Sequence, residues 1–183
     1  EVCQRADVIV ANSAYTLSQY PELAGLDARV IPLPVDFDLF RPSPDRASHQ
    51  HKHGIRPGSL CWVGAATSIK GWDILHRVAA ATTHNFAVVR KDRDKGPESA
   101  WGGRMRYFYR VSQETLAEIM GACRVGICTS RLETQHLAGL EMAACGLPVV
   151  ALYPVGVYAD EPPWTVLAPE DKFVPMLDSA LAK

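Results

Sequence analysis

Two stretches of the chain hold side chains whose types and spacing suit work on a charged, hydroxyl-rich ligand. The first is Gly64-Ala65-Ala66-Thr67-Ser68-Ile69-Lys70-Gly71, small residues closing on a lysine. Between a strand and a helix, such a loop leaves backbone N–H groups free, and a cation beside them suits a phosphate. It is not a Walker A loop, which carries a second glycine before Lys-Ser/Thr, nor a GxGxxG fingerprint. The same residues would also serve as a plain tight turn. The second stretch runs from Ser130 to Ala151, with Glu133 in a strand-to-helix loop and Glu141 two turns into the helix that follows. A carboxylate near a core needs several hydrogen-bond donors, and sugar hydroxyls supply them. Unpaired N–H groups at the helix start, around His136, Leu137 and Ala138, would face an anion. Read as plain structure, Glu141 is a core-edge residue paired with a lysine, and Glu133 is a charge at a helix N-terminus. The pattern alone leaves both readings open.

The elements that must position these groups follow from periodicity. Short apolar runs at 7–12, 28–32, 60–64, 86–89, 105–109, 125–129 and 148–152 read as buried strands. Helical patterns lie between them at about 14–24, 70–81, 112–122, 136–145 and 170–182, with Ser13 and Ser112 as N-caps and Gly146 closing the fourth. Ile74, Leu75, Val78 and Ala79 fall on one face of the second helix. Strands separated by helices of 10–15 residues imply a Rossmann-like α/β fold, a parallel sheet with helices on both faces. Ligands then bind outside the carboxyl ends of the strands, at the loops after 60–64, 105–109 and 125–129. The proline-punctuated stretch 33–42 reads as a connector. Ser43 to Gly58, with His49, His51 and His53, reads as an exposed loop rather than a metal site, and the glycines and prolines of 96–103 mark a charged loop.

Composition places the chain among ordinary globular proteins: 183 residues, 48% apolar, 21% charged, net charge −1. No window offers 18 uncharged apolar residues, so no membrane span is expected. The charge is uneven, −4 over residues 1–40, +8 over 41–110 and −5 over 111–183, and the basic middle favours an anionic ligand. No zinc finger, helix-turn-helix or basic–aromatic interleaving points to nucleic acid. The five cysteines form no CxxC pair and sit mostly in apolar runs, which reads as reduced buried thiols of a cytoplasmic protein. The chain opens without Met or leader and reads as a piece of something longer.

Three stretches together resemble glycosyltransferase family 4, the retaining GT-B enzymes that use nucleotide sugars. Ala6-Asp7-Val8-Ile9-Val10-Ala11-Asn12-Ser13 resembles the family's "AD-x-hydrophobic-S" strand end, Gly64 to Gly71 its Gly-Arg-x4-Lys-Gly loop, and Glu133 to Ala151 its Glu-x7-Glu helix followed by "A-x-G-x-P-V-V-A". Val111 to Leu116 and Met120 to Val125 sit where the family has a base-facing turn and its "Y-x-x-A-D-V" segment. The resemblance covers nearly the whole chain. It implies the C-terminal, donor-binding GT-B domain at 41–183, preceded by a remnant of the N-terminal domain and a connector at 1–40.

The resemblance also implies roles. Lys70 would meet the donor diphosphate beside Gly64 and Ala65, Glu133 the donor sugar and Glu141 the ribose hydroxyls. Backbone at His136, Leu137 and Ala138 would cradle phosphate or sugar oxygens, and the turn at Arg110 and Val111 would meet the base. Lys70 and Glu133 are the expected catalytic residues. The nucleotide diphosphate sugar is substrate rather than cofactor. No Asp-x-Asp motif is present, so no metal ligand set is expected. The expected partner is the missing acceptor-binding domain, and membrane association would come only through that part. The sequence departs from the pattern at Ala65, where the family has arginine, at His136, where glycine is common, and at Leu33-Pro34 before Val35-Asp36, where Asn-Gly is common. The alternatives are a catalytically silent nucleotide-sugar-binding module, or another GT-B enzyme such as a sugar epimerase or phosphorylase.

Overall fold

A computed structural model describes residues 5–23, 25–91, 103–152 and 165–182. Six strands form one parallel sheet: β3 (Leu60–Val63), β4 (Phe86–Arg90), β5 (Met105–Tyr109), β6 (Val125–Cys128), β7 (Val149–Leu152) and β8 (Thr165–Ala168), in the spatial order β5-β4-β3-β6-β7-β8. Every neighbouring pair is parallel. Strands β3, β4 and β5 spread to one side, and β6, β7 and β8 to the other. The order reverses between β3 and β6, and a crevice opens at the carboxyl ends of strands at such a point.

Helices cover both faces. Phe86 and Val88 of β4 share one buried cluster with Ile74, Leu75 and Val78 of α3 (Trp72–Ala81) and with Phe173 and Leu177 of α6 (Phe173–Leu181), the helix that lies against β6, β7 and β8. The alternate residues Ala87 and Val89 belong to the cluster on the opposite face, with Ile119 and Met120 of α4 (Gln113–Ala122) and Met142 of α5 (Leu137–Ala144), the helix that lies against β6 and β7. Both faces being buried, the central strands β3, β6 and β7 are apolar throughout rather than alternating. Ser112 caps α4 as expected, its hydroxyl accepting from Thr115 N–H. Gly146 takes φ +81° just past α5, where Leu147 N–H donates to Met142 O.

A separate two-stranded parallel sheet pairs β1 (Ile9–Ala11) with β2 (Ala28–Val30). The helix expected over 14–24 is shorter. α1 covers only Ala14–Ser18, capped by Ser13, and a single 3₁₀ turn follows at Pro21–Leu23. Pro21 has no N–H to continue the ladder, and its ring disfavours helical backbone at Tyr20.

Three further expectations are corrected. The stretch 43–58 contains a helix, α2 (Arg46–His53), capped by the Asp45 carboxylate on Ser48 N–H and ended by Gly54 at φ +63°. It buries no side chain. Its attachment is polar: Arg46 Nε donates to Gly121 O, Gln50 Nε2 to Ala122 O, and Lys52 Nζ to Glu118. The helix expected over 70–81 begins at Trp72, because Gly71 before it is left-handed. Strand β8 was not anticipated, and the segment after it opens with a 3₁₀ turn at Glu170–Lys172 before α6. The loop expected at 96–103 lies outside the described residues except for Gly103. Four of the cysteines, Cys61, Cys123, Cys128 and Cys145, are free and buried. Among the described residues no helix is long and apolar enough to cross a membrane.

Candidate functional site

The loops after β3 and β6 meet at the point where the strand order reverses. Lys70 Nζ lies 2.8 Å from each oxygen of Glu133, so the two residues singled out on separate motifs form one bidentate ion pair. Glu133 is buried, and Ser130 Oγ donates a further 2.6 Å bond to its Oε1. Glu133 is therefore more than a charge at a helix start.

Three groups outside the sequence expectation lock the loops together. Trp62 Nε1 donates to Thr129 Oγ1 at 2.9 Å, and the Thr129 hydroxyl donates to Lys70 O at 3.0 Å. Arg131 N–H donates to Ile69 O at 2.8 Å and Arg131 Nη1 to Ser68 O at 2.6 Å. The same guanidinium forks onto Asp73, with both contacts at 2.7 Å. Arg131 and then Arg77 hold the Asp73 carboxyl well below the usual carboxylate range. Gly71 stands at φ +64°, and a Cβ there would overlap the Thr129 carbonyl, so glycine lets the lysine loop lie flat on the end of β6. These partners are 58 to 67 residues apart in sequence, and no local spacing signals them.

His136 sits at the N-cap of α5 without a side-chain capping bond. The N–H groups of Leu137 and Ala138 find no acceptor among the described residues, as expected for an open helix start. The His136 ring is buried with Nε2 4.0 Å from Glu133 Oε1. Burial pushes its pKa down to about 4, so it is neutral near pH 7. Glu141, on α5 beside the buried Met142, is 8% exposed, with no hydrogen-bond or ion-pair partner among the described residues. The lysine that a structural role would require is absent there. Burial pushes the Glu141 carboxyl up to about 7.

Arg110 and Val111 lie across the same sheet end, past β5. Arg110 is the non-glycine residue with positive φ among the described residues, at +48°, a conformation that needs support from its surroundings. Its N–H donates to Arg90 O, and its Nε to Lys91 O. With Val63, Gly64, Val89, Arg90 and Leu116 this turn encloses a cleft of about 320 Å³. Ala65 follows Gly64 at the edge of that cleft and brings no charge.

Among the described residues one set of metal-capable side chains converges, Cys128, Glu133 and His136, with ligand atoms within 4.8 Å of one another. The Lys70 ammonium already occupies the carboxylate, and burial keeps Cys128 a thiol, its pKa pushed up to about 12. The carboxylate of the set is bound into the ion pair.

Comparison with known proteins follows the same outline. A family model described as "Glycosyl transferases group 1" matches residues 57–176. The D-inositol 3-phosphate glycosyltransferase of Geodermatophilus obscurus is 31% identical over 177 aligned residues, spanning 82% of this chain and 39% of that protein. The D-inositol 3-phosphate glycosyltransferase 2 of Catenulispora acidiphila is 28% identical, spanning 82% of this chain and 41% of its own length. The chain thus spans about two-fifths of the curated relatives it matches. Among solved structures, a sucrose-phosphate synthase from Thermosynechococcus elongatus superposes with a TM-score of 0.83 at 20% identity, covering 100% of this chain and 51% of that one. An Anabaena protein in complex with UDP and glucose gives 0.81 at 17% identity, covering 98% and 55%. These likenesses show the fold.

Proposed function

The chain belongs to the group 1 glycosyltransferases, and we propose that it supplies the donor side of a retaining GT-B transferase acting on a nucleotide diphosphate sugar. The observation that supports this reading is the Lys70–Glu133 ion pair beside the open start of α5, the helix that also carries buried, unpartnered Glu141. In it, Lys70 and the Leu137 and Ala138 N–H groups take the diphosphate, Glu133 accepts from sugar hydroxyls, and Glu141 accepts from the ribose. The turn at Arg110 and Val111 receives the base in the cleft it encloses. The Anabaena neighbour's complex with UDP and glucose makes uridine diphosphate the first nucleotide to try.

Chemically, the bond from the anomeric carbon to the diphosphate breaks and an acceptor oxygen bonds to that carbon on the same face. The acceptor proton passes to the departing phosphate. Charge grows on that phosphate as the bond breaks, so a fixed lysine and helix N–H groups stabilise the transition state more than the ground state. Because that neutralisation comes from the chain's own groups, the reading has binding independent of divalent ions.

An acceptor hydroxyl must also be held about 3–3.5 Å from the anomeric carbon in a site closed to water. The exposed apolar side chains Val10, Ile31, Leu33 and Phe37, around the β1–β2 pair, offer the surface on which an acceptor-binding half would pack. The isolated chain then binds donor but transfers nothing.

Calorimetry tests the reading. The chain should bind UDP more tightly than uridine, with and without a chelator, and Lys70→Ala should weaken UDP by about 1.5–3 kcal/mol while sparing uridine. Equal UDP affinity in wild type and variant, or a strict need for magnesium, overturns it.

A further inference from the structure

Arg90 is the last residue of β4 and is 3% exposed. It shares the sheet face of Phe86 and Val88, and its guanidinium lies 4.5 Å over the Trp72 ring and 5.8 Å from the Tyr109 ring. Two of its nitrogens, Nε and Nη2, are fully buried with no hydrogen-bond partner, and no carboxylate pairs with it among the described residues. A buried guanidinium without an anion is costly, and stacking on aromatic faces recovers only part of that cost. The charge is felt nearby: after burial itself, Arg90 is the next cause holding His76 below its ordinary pKa.

The position of this charge matters. Trp72 stands two residues past Lys70, so the guanidinium rests against the start of the helix that the lysine loop opens. Strand β3 ends beside it, where Gly64 N–H donates to Val89 O. Of the described residues lining the cleft, the charged ones are Arg90, Lys91 and Arg110, and none of those residues is acidic. Among the described residues the site thus holds three cations without an anion, next to the small residue Ala65. The orphan pair Nε and Nη2 also forms one edge of the guanidinium, and two parallel N–H donors on one edge match two oxygens of a phosphate.

We propose that Arg90 is the second cation of the donor diphosphate site, delivered from β4 where residue 65 brings none. This rests on the donor-site reading above. The phosphate then satisfies donors that the free protein leaves unpaired, and the aromatic pair Trp72 and Tyr109 fixes the plane of the fork.

The test uses the whole chain with three probes, inorganic pyrophosphate, uridine and UDP, and the variants Arg90→Met and Lys70→Ala, with thermal unfolding to check folding. Arg90→Met should weaken pyrophosphate and UDP by about tenfold or more, the scale of one charge-assisted pair, and leave uridine within about twofold. If Arg90→Met is poorly folded, Arg90→Gln, which keeps a polar side chain, is held to the same criteria. Wild-type affinity for pyrophosphate and UDP in the folded variant overturns the proposal, as does an equal loss of uridine and UDP with pyrophosphate unchanged, which would make Arg90 a reader of the base. Loss of UDP binding in Lys70→Ala alone sinks the Arg90 role and keeps the donor site. A wild-type chain that binds neither pyrophosphate nor UDP sinks both.

Discussion

The two parallel sheets of this chain are alike in hydrogen bonding and opposite in coverage. In the six-stranded sheet, β6 and β7 are buried at every residue, and helices close both faces. In the β1–β2 pair, Val10 is 58% exposed, and Val8, Val30 and Ile31 are exposed as well. The sequence of both regions is equally apolar, so the backbone pairing does not decide stability. What decides it is whether a second layer removes the side chains from water. The short pair is held to the rest by polar stitches at its loops instead. Asn12 Nδ2 donates to Thr134 Oγ1, and Leu33 exchanges two bonds with the Gln135 side chain. Those stitches land on the loop that carries Glu133, so the uncovered region touches the site as well as the fold.

The sharpest way to break this comparison is a pair of truncations. Leu60→Ala, in the covered sheet, should cost about 2–5 kcal/mol of unfolding free energy, whereas Val10→Ala should stay within about 0.5 kcal/mol. Denaturant melts read both, and equal costs would mean that coverage is not the difference. A somewhat smaller effect is expected where the covered sheet meets the site. Gly71→Ala, strained at φ +64° and colliding with Thr129 O, should cost about 2–3 kcal/mol and should loosen UDP binding along with stability. A variant that loses stability but binds UDP normally would detach the glycine from the site.

The smallest effect sharpens the comparison from inside the covered region, at a buried carboxyl with no partner among the described residues, Glu141. The folded pKa of Glu141, about 7, lies above its ordinary 4.5. Its contribution to stability is therefore fully present below about pH 4.5, declines as pH rises to about 7, and is flat above. Ribose hydroxyls require the ionised form, so uridine affinity should rise by about tenfold between pH 6 and pH 8. Uridine carries no phosphate to titrate in that window. Glu141→Gln should abolish the step, and a step that survives in this variant would assign it to another group.

Most of the architecture was legible because apolar periodicity writes it down. Ile74, Leu75, Val78 and Ala79 announced α3, and Ser112 announced α4. α2 escaped because its eight residues, Arg46–His53, carry no apolar stripe, and its hold on α4 is made of side-chain bonds to carbonyls 72 to 75 residues away. β8 escaped because Thr165–Ala168 stands between Pro162-Pro163 and Pro169, a proline-punctuated stretch that reads as loop. In the site, Lys70 and Glu133 were each marked by their own motif, but their pairing was not, since it depends on β3 and β6 being neighbours. Arg131 and Arg90 carried no mark at all. A guanidinium is ordinary on a surface, and only the packed structure shows that Arg90 is inside.

The Lys70–Glu133 pair makes the site its own first occupant. With nothing bound, the carboxylate already acts as the lysine's counter-ion, so a stray inorganic anion must compete against an internal one held 2.8 Å away. On the donor-site reading, a nucleotide sugar can make the exchange whole: its phosphates draw off the lysine while its sugar hydroxyls take over the glutamate. A nucleotide without its sugar can supply only the first half, and it leaves Glu133 with Ser130 alone. On that reading, loss of the sugar leaves Glu133 without its sugar-hydroxyl donors, and re-formation of the old ion pair competes with the spent nucleotide for Lys70.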